Sequence, residues 1–177
     1  MKKLFILLFM FCCSQMYAQI ELTNQGVKWL EIYNKSNYND IVNAISNAIG
    51  FRPVETTNDE SMAGFYSTSK IASWTLQGTA GSKTVFEYKK TANSTLLEGT
   101  DYEACFTATY IFPIREKSQA QAKFEHVYKL IVNVTGNPKQ KISPTQYKWD
   151  TPKYSCVLEL KQEDNVWKVI ETDSSKK

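Results

Sequence analysis

The sequence predicts an α+β domain: an N-terminal helix pair packed against a curved, mainly antiparallel meander sheet of about six strands. Three observations carry this. The stretch WLEIYNKSNYNDIVNAI, residues 29–45, places apolar residues at helical spacing in two pieces split by an Asn-rich step. From Gly64 onward the chain turns to strand formers, among them Phe65, Tyr66, Trp74, Val85, Phe86 and Tyr88. Beyond these come runs in which apolar and polar residues alternate, and no internal repeat interrupts them.

The first helix is expected over residues 24–34, with Val27, Leu30 and Tyr33 on one side and Trp29 and Ile32 beside them. For the second, Asn37 can cap the start and Asp40 falls in the first turn. Tyr38, Ile41, Val42, Ile45, Ala48 and Ile49 form its apolar stripe, and Gly50 supplies a left-handed stop. Residues 51–62 hold Pro53 and the polar run TTNDES and read as a loop. Strands over 71–77 and 83–89 form a hairpin around Gly78 and Gly81, and 92–100 reads as a linker.

The strongest alternation follows. Tyr102, Ala104, Phe106, Ala108, Tyr110, Phe112 and Ile114 share one face of a strand, and Ala122, Phe124, His126, Tyr128, Leu130, Val132 and Val134 share one face of the next. A hairpin through the polar linker REKSQAQ sets Phe112 opposite Phe124 and Tyr110 opposite His126. Residues 138–153, PKQKISPTQYKWDTPK, read as a solvated lysine-bearing loop. Strands over 154–161 and 166–172 close the chain, joined by the turn QEDN.

The chain opens MKKLFILLFMFCCSQMYAQ, with basic Lys2 and Lys3, an apolar run from Leu4 to Cys13 and small Ala18. That is the pattern of a secretory signal peptide over residues 1–18, leaving one domain over 19–177 in the periplasm or outside the cell. A lipoprotein anchored at Cys12 or Cys13 is the rival, weakened by bulky Phe9, Met10 and Phe11 ahead of them. No later segment is continuously apolar, so no membrane span is expected. Loss of Lys2 and Lys3 takes the formal net charge from +3 to +1, which argues against a nucleic-acid partner.

Cleavage leaves Cys105 and Cys156 in a compartment that permits a disulfide. Alternation sets Cys105 on the polar face with Glu103, Thr107 and Thr109, and Cys156 on the apolar face with Tyr154, Leu158 and Leu160. A bridge therefore needs a bulge or an edge crossing. With no His or Cys cluster beside them, no zinc site is expected.

The opening WLEIYNKSNYNDIVNAI and the ending LELKQEDNVWKVIETD together resemble the first helix pair and the last hairpin of NTF2-like, or cystatin-like cone, domains. The resemblance implies a sheet bent around a pocket, lined here by Tyr110, Phe112, Phe124, His126 and Tyr128, with Trp74 also available to floor it. It also implies, as a second possibility, an isomerase, dehydratase or hydrolase in which His126 works with Tyr110 and Tyr128 as acid and base. The plainer alternative is a core histidine bonded to a tyrosine. Glu103, Glu125 and Glu159 all fall opposite the apolar faces, leaving only Asp40 or Glu31 as an inward acid. No nucleophile elbow, phosphate loop or metalloprotease helix occurs, and no cofactor is expected. The sequence thus favours a non-catalytic exported domain that binds a small apolar ligand or a protein. A modest homodimer surface is available from Val127 and Ile131 among Lys123, Glu125 and Lys129.

Overall fold

Apolar spacing and capping place the first described helix where the sequence puts it. Helix α1, Tyr38–Ile49, is capped by the Asn37 side chain, which accepts from the Asn39 amide, and ends at Gly50 with φ of 92°. Tyr38, Ile41, Val42 and Ile45 are buried, together with Ser46, while Ala48 of the expected stripe is exposed. In this computed structural model the described residues are 37–62, 64–95, 99–152 and 154–175. The expected signal peptide and the helix at 24–34 lie outside them.

The expected architecture is corrected by the sheet. Among the described residues, eight antiparallel strands form one open sheet in the order β1-β2-β3-β4-β8-β7-β6-β5. Their ranges are β1 Val54–Met62, β2 Phe65–Gln77, β3 Lys83–Thr95, β4 Gly99–Pro113, β5 Gln140–Ser143, β6 Gln146–Asp150, β7 Tyr154–Glu163 and β8 Val166–Ser175. The second described helix, α2, Lys117–Thr135, follows β4 rather than preceding the sheet. This is not a helix pair ahead of six strands.

The misplaced element is the run 122–134. It is helical because Ala120, Phe124, Val127 and Ile131, spaced by four, three and four, are the residues α2 buries. The expected pairs Phe112 with Phe124 and Tyr110 with His126 therefore do not form. Val127 and Ile131, expected on an outward dimer face, are in the core. Residues 51–62, expected as a loop, contain β1, and of 92–100, expected as a linker, residues 92–95 belong to β3 and 99–100 to β4. The lysine-bearing stretch holds the β5–β6 hairpin.

Both helices pack on one face of the sheet. The indole of Trp74 on β2 donates to Ser46 Oγ of α1 at 3.4 Å, and Tyr38 stacks on Tyr88 of β3 with ring centroids 5.7 Å apart. Helix α2 lies across β4, β7 and β8. Trp149 on β6 is buried and donates to the carbonyl of Gly136, the residue that stops α2, at 3.0 Å. That bond ties the β5–β6 end of the sheet to the helix.

The register lays side chains in rows beneath the helices. One row runs Ala72, Tyr88, Phe106, Asp173, Cys156, Trp149 from β2 to β6, and the next Trp74, Phe86, Ala108, Glu171, Leu158, Tyr147. Two acids thus sit in the middle of the core. The register of β7 on β8 is set by Asp164 and Asn165, with φ of 52° and 60°, a two-residue turn whose twist suits a hairpin. A slip of one residue would turn both acids outward.

Candidate functional site

Two features of the helix-covered face are candidates, and the first is a groove. It lies between α2 and the β5–β6 turn, has a volume of about 460 Å³, and is lined by Gln121, Phe124, Glu125, Tyr128, Pro144, Thr145, Tyr147 and Leu160. That volume suits a small organic molecule. Helical spacing brings Gln121, Phe124, Glu125 and Tyr128 to one side of α2, and strand alternation turns Tyr147 toward them. The Tyr128 and Tyr147 rings stand 4.9 Å apart, with Phe124 6.0 Å from Tyr147. Trp149 backs the pair, 5.7 Å from Tyr128. Lys141 holds its ammonium 5.6 Å from the centre of the Tyr147 ring.

Of the five residues expected to line a pocket, Phe124 and Tyr128 line this groove. Tyr110 and Phe112 are buried on β4, where Tyr110 meets Phe86 edge-on at 6.4 Å and lies under the Lys123 ammonium at 4.4 Å. His126 is exposed on α2. Partial burial, then the charges of Lys123 and Lys129, hold its imidazole below the usual histidine range, so it is neutral at neutral pH. The trio of His126, Tyr110 and Tyr128, expected to meet across two paired strands, is not brought together: Tyr110 is buried on β4, while on α2 His126 is exposed and Tyr128 lines the groove. Trp74 is buried against α1, away from the groove residues. Asp40 is exposed on α1. Tyr147 and the Pro144 turn escaped the sequence reading because residues 138–153 looked like a loop, whereas Leu160 was placed on the apolar face of its strand but not in a pocket.

The second feature is the acid pair in the core. Glu171 and Asp173 are both fully buried, and Cys156 lies directly across from Asp173. One ligand atom from each of the three, a sulfur and two carboxylate oxygens, lies within 4.8 Å of the others. Burial pushes the Asp173 carboxyl up to about 7, with the Cys156 thiol pulling slightly the other way. Glu171 is raised well above its ordinary value by burial and then by Asp173. Burial also raises the Cys156 thiol, helped by the two carboxylates. The sequence signal was available: VIETD continues the alternation of Val169 into Glu171 and Asp173. Only the expectation of an apolar inner face hid it.

Cys105 and Cys156 are free thiols on opposite faces, as alternation placed them. Cys105 borders a shallow depression of about 230 Å³ on the other side of the sheet, with Lys89, Glu103 and Ser174. Among the described residues no helix is long and apolar enough to cross a membrane. No family model, no curated protein and no solved structure matches the chain.

Proposed function

We propose that this chain is an exported, non-catalytic binding domain that holds a small organic ligand in the groove between α2 and the β5–β6 hairpin. The observation that carries the reading is the aromatic wall of Phe124, Tyr128 and Tyr147, facing hydrogen-bonding side chains from Gln121, Glu125 and Thr145. Such a wall takes a flat or ring-shaped body, while the polar rim takes its hydroxyl or amino groups. The ligand is therefore a ring compound with hydrogen-bonding edges rather than a purely apolar one. Among the described residues that line it there is no nucleophile paired with a base, and the one carboxylate, Glu125, is exposed.

Trp149 is a built-in reporter because it touches both tyrosine rings. Titration of the protein with indole, p-cresol and methyl glucoside should give, for at least one of them, a saturable fluorescence change that Trp149→Phe removes. Tyr128→Ala should weaken that binding about tenfold or more, the scale of an interface aromatic lost. Absence of any saturable response, or binding indifferent to Tyr128→Ala, would discard the groove as the site.

A further inference from the structure

The acid pair and its cysteine are not part of the groove. The four carboxylate oxygens of Glu171 and Asp173 have no hydrogen-bond partner of good geometry among the described residues. Protonation alone does not settle this, since a neutral carboxyl still has a proton to donate and oxygens that seek donors. Orphaned buried oxygens carry a full desolvation cost, and here they converge with a sulfur. Tyr88, in the same row across Phe106, also has a buried hydroxyl without a partner.

We propose that Cys156, Glu171 and Asp173 bind one divalent transition-metal ion of the zinc class. A thiolate with two carboxylates is a borderline donor set that suits Zn²⁺ or Co²⁺ and disfavours Mg²⁺ and Ca²⁺, which want oxygen alone. A tetrahedral ion with a Zn–S distance of about 2.3 Å and Zn–O distances of about 2.1 Å holds its ligand atoms roughly 3.5 Å apart. With the observed spread at 4.8 Å or less, the closure needed is at most about 1.3 Å, which a turn of the Glu171 side chain can supply. Coordination forms one metal–sulfur and two metal–oxygen bonds, and the thiol and carboxyl protons leave to solvent. The three deprotonated ligands carry −3 and the ion +2, so the loaded site has a net charge of −1, with a fourth position left for water. The expectation of no metal set rested on missing His and Cys partners for Cys156, whereas these partners are carboxylates.

The test uses Co²⁺, whose thiolate complexes absorb in the near ultraviolet. The full chain carrying Cys12→Ser, Cys13→Ser and Cys105→Ser, stripped with chelator and titrated with CoCl₂, should develop that band with one equivalent and melt at a higher temperature. Excess MgCl₂ should do neither. Adding Cys156→Ser should abolish the band, and Asp173→Asn, measured separately, should weaken Co²⁺ binding about tenfold or more. If Cys156→Ser fails to fold, the Asp173→Asn titration and the Mg²⁺ comparison still decide. A folded chain that gives no band and no thermal shift, or a band that survives Cys156→Ser, would overturn the proposal.

Discussion

Asp173 is the residue whose environment has the plainest consequence in solution. In the metal-free protein it keeps its proton up to about pH 7, whereas in the unfolded chain it would lose it near 4. Between those values the folded state binds more protons than the unfolded one, so stability is fullest at low pH and falls as pH rises through 7. Glu171, raised by burial, acts in the same direction, and so does the Cys156 thiol opposite. Tyr88 from β3, with Tyr38 of α1 stacked on it, is raised by burial and stays neutral across this range. Lys123 of α2 lies over Tyr110, the neighbour of Val169, rather than over the pair. Urea unfolding of chelator-treated protein should therefore give a stability lower at pH 8 than at pH 5 by on the order of a few kcal/mol. Asp173→Asn should flatten that slope, and a profile unchanged by the substitution would place the titration elsewhere. Both acids were legible from alternation with Val169, but seeing them required the β7–β8 register, which a single strand does not reveal.

Helix α2 shows how two periodicities can compete in one segment. Phe124, Tyr128, Leu130, Val132 and Val134 satisfy period two, while Ala120, Phe124, Val127 and Ile131 satisfy the helical period. Length and composition decide for the helix, since nineteen residues opening KSQAQAKFEH are rich in helix formers and longer than most strands. Ile131→Ala should accordingly cost about 2–5 kcal/mol, the range for emptying a buried isoleucine site. His126→Ala on the exposed side should change stability by no more than about 0.5 kcal/mol. Thermal melts of the two variants separate helix from strand, because the strand pattern makes His126 the buried one. The last hairpin was readable to within a few residues, since QEDN supplies Asp164 and Asn165 for positive φ. Asn165→Gly should stabilise it by roughly 0.5–1 kcal/mol, measured by urea unfolding, because glycine adopts that conformation without penalty. By contrast β1, VETTNDESM, could not be recognised by pattern, for its residues 54–61 are all exposed and no face of it needs apolar residues.

At the scale of the whole molecule, an open sheet of eight strands has two edges to protect. The β1 edge carries Asp59 and Glu60, charges that discourage a second copy from adding a strand, and the β5 edge is only four residues long. Replacing Asp59 and Glu60 by valine should raise the fraction of larger species in sedimentation velocity, and no change would mean that the edge is guarded by other means. Between the edges, the helices divide the inner face into an aromatic groove on the α2 side and a closed core holding the acid pair. The binding reading depends on that groove being occupied. Native mass spectrometry of the chain tests it most directly. An organic mass should stay with the folded protein, leave on denaturation and be lost in Tyr128→Ala. A bare folded chain, or an organic adduct that persists in Tyr128→Ala, would contradict it.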